Sequence, residues 1–420
     1  MARTLKVYFD GELVGRLTQD GSGQMRFQYD NAWREKPDAM ALSRSLPLRA
    51  EPFTQKECRG FFGGTLPEEG NRKVIARILG ISDKNDFAML EQIGGECAGA
   101  ISFHAEDEVI PADTRRYREL GDDELAKVLR ELPRRPLMAG EDGIRLSLAG
   151  VQGKIAVRVD DGRISIPRGS APSSHILKPA IDTWEGVVFN EAFCMRLARA
   201  CDLNTSHVEI GKVEEIDYLL VRRYDRVRNK AGEEASEEAG AIRRVHQEDF
   251  CQALGVPSEK KYQSEGGPSL TACFELLREA STVPALDLRD LLDAVIFNLL
   301  IGNHDAHAKN FSLLYLPGGE VRLAPLYDLV CTVFYPELTD KMAMKIGGEA
   351  KSALIMPRHV ETFAAAAGLG AVQTRARVAS LAGKVLGRIA DVPKPEAISE
   401  AVAALIAERC EKFLRIFRKD

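Results

Sequence analysis

The stretch Gly302-Asn303-His304-Asp305-Ala306-His307-Ala308-Lys309-Asn310 decides how this chain is read. It follows an apolar run at 288–301, whose composition demands a buried helix. After it come an apolar strand at 311–316, a turn at Pro317-Gly318-Gly319-Glu320, and a second strand at 321–324 ending in Pro325-Leu326-Tyr327-Asp328. An Asp, an Asn five residues on, and a second Asp beyond a hairpin thus lie near one another. Phosphoryl transfer from ATP needs this set: one carboxylate to orient the attacking hydroxyl and take its proton, and an Asn and an Asp as hard oxygen ligands for Mg²⁺ on the phosphates. Asp305 and Asn310 alone would be ordinary loop-capping residues. The placement of Asp328 and the buried helix before the loop favour the catalytic reading. A histidine metal pair at His304 and His307 lacks a Cys or third His to complete it, and His307 reads as a structural or phosphate-facing residue.

Working outward, 420 residues suggest two to three domains at a typical ~150 residues each. The 45% hydrophobic and 28% charged content is that of a globular chain and argues against low complexity. With 57 basic against 62 acidic residues, direct nucleic-acid binding by the whole surface is disfavoured. The opening MARTLKVYFD has no signal-peptide h-region, and no apolar run reaches the ~20 residues of a membrane span. The eight cysteines are scattered without a CxxC, as expected of reduced, buried thiols in a cytoplasmic protein without zinc.

Residues 1–105 read as a β-rich subdomain. It opens with alternation at 5–9, a turn at Asp10-Gly11, a return strand at 13–17 and a third at 25–29, and helices follow near 54–62, 71–79 and 83–92. Residues 106–143 read as a charged connector with one helix at 122–132. From 144 the chain turns to strands around a Gly-containing turn: Arg145-Leu146-Ser147-Leu148, the turn Ala149-Gly150-Val151-Gln152-Gly153-Lys154, then a strand at 155–159. In the first of these, alternation puts the Ser147 hydroxyl on the face opposite Leu146 and Leu148. Lys178 ends a strand at 174–178 and is the candidate phosphate lysine. Glu191, on the helix at 185–200, is its candidate partner, with Asn190 adjacent and the register open. Asn229 to Gly240 is a polar, acidic surface insert. The chain beyond 247 is mostly helical, with Ala-rich helices at 360–367, 374–389 and 398–417.

Six ordered motifs carry a resemblance. They are residues 147–154, His175-Ile176-Leu177-Lys178, Gln247-Glu248-Asp249, Lys261-Tyr262 with Gly266-Gly267-Pro268, Asp305 to Asn310, and Tyr327-Asp328. Together they resemble the HipA family, the serine/threonine kinase toxins of bacterial toxin–antitoxin modules. The resemblance implies an α+β, bilobed protein-kinase-like (PI3/4-kinase-like) fold: the β-rich subdomain at 1–105, a kinase N-lobe at 144–225 and a helical C-lobe at 226–420. It implies Asp305 as catalytic base and Asn310 with Asp328 as Mg²⁺ ligands. Lys178 would hold the ATP phosphates under the loop Ala149, Gly150, Val151, Gln152, Gly153 and Lys154. Arg222, Arg223 and Tyr224 would form the adenine hinge, with Arg222 where family members often carry an acidic residue. His307, Ala308, Lys309 and Tyr327 would complete the nucleotide pocket, and Ser147 would be the site of self-inactivating autophosphorylation. It further implies an aminoacyl-tRNA synthetase as protein substrate, such as glutamyl-tRNA synthetase, with growth arrest as the outcome. A HipB-like helix-turn-helix antitoxin would be the partner, and contact with DNA would run mainly through it. The competing readings are a phosphoinositide-kinase-like lipid or small-molecule kinase and a catalytically silent co-repressor.

Overall fold

A computed structural model describes residues 2–108, 116–181, 183–228 and 241–418. The architecture is mixed α/β and divides into two compact units, 1–179 with 211–259 and 314–319, and 180–210 with 260–313 and 320–420. The acidic insert at 229–240 and part of the expected connector, 109–115, lie outside the described residues.

The first unit is built on two sheets. Strands β1 (Arg3–Phe9), β2 (Glu12–Gln19), β3 (Met25–Tyr29) and β4 (Ile101–Ala105) form an antiparallel sheet in the order β3-β2-β1-β4. In β3 the alternation is complete: Met25, Phe27 and Tyr29 are buried while Arg26 and Gln28 face out. Phe27 stacks with Phe53 and tilts onto Phe62, so helix Gln55–Gly64 covers that apolar face. Strands β5 (Arg116–Glu119), β6 (Ile155–Asp160), β7 (Arg163–Arg168), β8 (His175–Pro179), β9 (Val208–Val213) and β10 (Ile216–Arg222) give the second sheet, ordered β5-β7-β6-β8-β10-β9. Two of these, β5 inside the expected connector and β7, have no counterpart in the sequence reading.

The limits expected at 105 and 143 are not packing limits. One buried cluster runs from Leu5 through Phe103, Leu125, Leu146 and Ile155 to Tyr218. A small four-stranded sheet cannot cover its own apolar face, and here the helices and the 137–148 segment close it into a core shared with the second sheet.

The second unit is mainly helical: Val187–Ala200, Leu270–Ala280, Pro284–Ile301, Pro357–Ala366, Ala371–Arg388 and Ala397–Phe417. The apolar run read from the sequence is the buried helix Pro284–Ile301, begun by a proline at its first turn. Buried Asp287 accepts from the Arg322 guanidinium at 3.0 Å and from Leu323 N at 3.1 Å, and Arg377 grips Asp293 through two bonds of 2.6 Å. These pairs fix the helix that launches the 302–310 loop. All eight cysteines are buried and outside any disulfide, as expected. Among the described residues no helix is long and apolar enough to cross a membrane.

Candidate active site

Helix Pro284–Ile301 ends at Gly302 (φ 75°), where a Cβ would sit 2.4 Å from Val333; only glycine closes this turn without strain. The chain then reverses into the loop, held by backbone and side chains. His304 N donates to Thr332 Oγ1 at 2.7 Å, and the buried His304 ring bonds Thr339 O (3.1 Å) and Ser352 Oγ (2.7 Å). Burial holds the pKa of that ring below its usual value. His304 is therefore a structural residue. Among the described residues no group of three or more His, Cys, Asp or Glu is arranged to hold a metal.

Asp305 is exposed at the tip of this pinned loop. His307 N donates to Asp305 O (2.8 Å) and to Asn310 Oδ1 (3.1 Å), and Asn310 N returns to His307 O (2.9 Å). Ala308 and Lys309 are buried in the short 3₁₀ turn this makes. Tyr327 Oη donates to Lys309 O at 2.7 Å, and 2.7 Å separates it from Ser312 Oγ, so the segment preceding Asp328 is tied to the loop carrying Asn310. Asp328 adopts φ 53°, a left-handed conformation uncommon outside glycine and found where surrounding structure enforces it. Asn190, buried on helix Val187–Ala200, brackets Cys331 through both its backbone groups at 2.9 and 3.1 Å and so anchors the chain beyond Asp328. Glu191 is buried on the same helix.

The residue that joins the two acidic positions is Asn303. Its Nδ2 donates to Asn298 Oδ1 (2.8 Å) and to Asp328 O (3.2 Å), while its Oδ1 accepts from Asp305 N (3.2 Å). Asn298, which interrupts the apolar run, is thus the helix-borne anchor of the site. Neither residue carries a role in the sequence reading, although a buried Asn in an apolar helix is a signal that it must satisfy a partner. The second unit accordingly brings Asp305, Asn310, Tyr327 and Asp328 into one hydrogen-bonded arrangement. Asn310 Oδ1 and a carboxylate such as that of Asp328 are hard oxygen donors of the kind Mg²⁺ takes.

The remaining candidates belong to the first unit. Lys178 is buried on β8, opposite Leu219 of β10. In the 149–154 turn, Lys154 Nζ donates to Ala149 O (2.8 Å), Gly150 has φ 104°, Asn71 Nδ2 holds Val151 O (2.6 Å), and Val151 is exposed. Gln152 and Gly153 are partly exposed in the same turn.

The segment before this turn differs from expectation. Residues 145–148 are not a two-faced strand, since only Leu146 forms an isolated bridge, to Glu96. Leu146, Ser147 and Leu148 are all buried, and Ser147 Oγ donates to Thr65 O at 2.8 Å. The core covers both sides of this segment, so alternation has no solvent face to report. At the expected hinge, Arg222 is exposed and the Tyr224 hydroxyl bonds Gln247. The Arg223 guanidinium turns inward onto Asp225, Glu96 and Cys97 O.

Comparison with known proteins meets this geometry with two family matches: "HipA-like C-terminal domain" over residues 146–392 and "HipA N-terminal domain" over 5–104. The chain belongs to the HipA family. It is 47% identical over 394 residues to the Y4mE protein of Sinorhizobium fredii, covering 93% of this chain and 92% of that one. The serine/threonine-protein kinase toxin HipA of Shewanella oneidensis is 28% identical, across 98% of this chain and 96% of its own. The solved complex of Shewanella oneidensis HipA with HipB and its operator DNA matches with a TM-score of 0.85 at 27% identity, covering 99% of this chain and 98% of that one.

The Gln247-Glu248-Asp249 motif that marked the HipA resemblance has structural work here. Asp249 caps the turn Phe250–Ala253, and Gln247 receives Tyr224. Glu248, fully buried, accepts from Arg44 N at 3.0 Å and from the hydroxyls of Ser43 and Tyr315. Burial outweighs these donors and pushes its carboxyl up from 4.5 to about 7. The sign follows: a folded-state pKa above the unfolded one gives stability that is complete below 4.5 and lost as the pH rises through about 7. Glu248→Gln keeps an acceptor for Arg44 and Tyr315 and offers an amide to Ser43. Between about pH 5 and about pH 8, wild type is expected to lose up to about 3 kcal/mol relative to Glu248→Gln. Urea midpoints of the two proteins across that window check this; parallel curves refute it.

Proposed function

We propose that this HipA-family protein is an ATP-dependent kinase that phosphorylates Ser or Thr of a protein acceptor, and that the bilobed kinase architecture of the resemblance holds for it. The observation that carries the reading is the Asn303 bridge, which ties the backbone of exposed Asp305 to the backbone carbonyl of Asp328 beyond the hairpin. The acceptor hydroxyl oxygen would form a bond to the γ-phosphorus as the bond to the β–γ bridging oxygen breaks. Asp305 would take the hydroxyl proton, and ADP would leave. Asn310 and Asp328 would hold Mg²⁺, which when bound supplies charge neutralisation on the phosphates. Lys178 would contact the phosphates as a point charge, with the 149–154 turn over them. His307, Ala308, Lys309 and Tyr327 would line the nucleotide pocket. At the hinge, Arg222, Arg223 and Tyr224 would meet adenine through backbone groups, since the Arg223 side chain is committed elsewhere.

The partners in this proposal are a HipB-type antitoxin, with DNA contacted mainly through it, and an aminoacyl-tRNA synthetase as acceptor. The antitoxin assignment is supported by the matched HipA–HipB–operator complex. Ser147 would be the self-inactivating site. A phosphate of about −1.5 to −2 charge is incompatible with its buried position, so modification would require residues 145–154 to leave the core.

The test is incubation of the purified chain with γ-labelled ATP and Mg²⁺, in one arm with host lysate proteins and in another with a lipid extract. Label entering proteins supports the proposal. Label entering only lipids favours the lipid-kinase reading, and no label in either arm overturns the assignment. For the metal pair, Asp328→Ala is expected to weaken Mg-ATP binding by about tenfold or more while leaving metal-free ATP binding unchanged. Calorimetry with and without Mg²⁺ checks it, and an unchanged Mg-ATP affinity removes Asp328 from the ligand set.

A further inference from the structure

Asp305 sits in an exposed position, where packing does not fix the rotamer of its side chain. Tyr262 supplies a restraint. Its Oη donates to Asp305 Oδ1 at 2.9 Å across 43 residues of sequence. A phenol O–H facing a carboxylate can only donate to it, so the bond has one polarity.

The phenol is itself held. The His307 ring meets it edge-on, with centroids 5.4 Å apart, and Lys261 Nζ lies 5.2 Å from its ring centroid. Behind it the chain turns tightly. Gly267 N donates to Tyr262 O (2.9 Å), and a Cβ on Gly267 would lie 2.2 Å from Lys260 O and 2.8 Å from Tyr262 O. No side chain fits there, which explains the second glycine of the Gly266-Gly267-Pro268 motif.

Both partners of the bond are clamped to the same strand, Lys341–Ile346. Ala343 N donates to His304 O (2.7 Å), next to Asp305, and Lys345 N donates to Gln263 Oε1 (2.7 Å), next to Tyr262. The two clamps are backbone N–H groups two residues apart, which in a strand point to the same edge. We infer that Tyr262 is a positioning residue that aims the Asp305 carboxylate at the acceptor hydroxyl. This rests on the kinase reading above and adds a residue to it. A reacting group held in one geometry gains rate by orientation, and loss of that geometry appears in turnover more than in nucleotide binding.

Tyr262→Phe removes one O–H and keeps the ring. Label transfer from γ-labelled Mg-ATP to lysate protein is expected to show kcat about tenfold lower, with KM for Mg-ATP within about twofold of wild type and an unchanged thermal midpoint. Gly267→Ala, which must displace Tyr262 by forcing the turn open, is expected to reproduce the loss in kcat. An active wild type with Tyr262→Phe equal to it in kcat, or altered in KM alone, overturns the inference and leaves the kinase assignment standing. A wild type with no transfer at all overturns both.

Discussion

Asp305→Asn is expected to lower phosphoryl transfer by about 10²–10⁴-fold while leaving the loop and ATP binding in place. The asparagine is isosteric. Its amide oxygen still accepts from Tyr262 Oη, and its backbone keeps the bonds to Asn303 Oδ1 and from His307 N. What is lost is the capacity to take a proton, since an amide oxygen is a far weaker base than a carboxylate. Label incorporation into protein and calorimetric Mg-ATP affinity, measured on the same preparation, separate the two quantities. A mutant with wild-type turnover refutes Asp305 as the base. A mutant that fails to bind ATP assigns it to binding instead.

The largest expected effect on stability is far from this loop, at Glu96. Its side chain is fully buried and accepts from three arginines: Arg226 (2.8 Å), Arg223 (3.1 Å) and Arg244 (2.7 Å). Ser173 adds its N–H at 3.0 Å and its hydroxyl at 2.9 Å. Burial alone would favour the neutral acid, but the three guanidinium groups outweigh it and hold the pKa of this carboxyl well below the usual range. Its contribution is therefore present above pH 4.5 and lost as the pH falls through the folded-state value. Removing the acceptor leaves Arg223 and Arg226 buried with Asp225 as their shared carboxylate. Breaking a buried pair from one side costs about 3–5 kcal/mol, so Glu96→Ala is expected to lower the urea midpoint by that equivalent or to prevent folding. Glu119→Ala is the control: it breaks an exposed pair with Arg163 at 3.7 Å and should change stability by less than about 1 kcal/mol. Equal midpoints for the two variants would contradict the network.

Arg223 shows how the two kinds of information divide. The family resemblance makes it a hinge candidate in the sequence, yet its side chain faces Glu96, 127 residues away. Ser147 divides the same way. Its neighbours suggest a strand with an inner and an outer face, but Leu146, Ser147 and Leu148 are all buried, with the Ser147 hydroxyl bonded to Thr65 O. The Lys261-Tyr262 motif is visible in the sequence as a likeness without a role, and the role inferred for it needs the contact with Asp305.

What the sequence by itself determined was local. It contained the alternation of β3, the buried helix before residue 302, the order of Asp305, Asn310, the hairpin and Asp328, and a set of motifs dense enough to indicate the HipA family. Each of these depends on the chemistry of residues a few positions apart, where the periods of helix and strand constrain which faces meet. Tertiary structure alone decided that Asn303 and Asn298 connect the acidic positions, that Tyr262 reaches Asp305, that Glu96 gathers three arginines, and that the first 105 residues share a core with the second sheet. Apart from the short links from Asn303 to Asn298 and Asp305, these depend on hydrogen bonds, ion pairs and apolar contacts between residues tens to more than a hundred positions apart. Side-chain periodicity carries no record of such pairings, because the chain's path between the partners sets them.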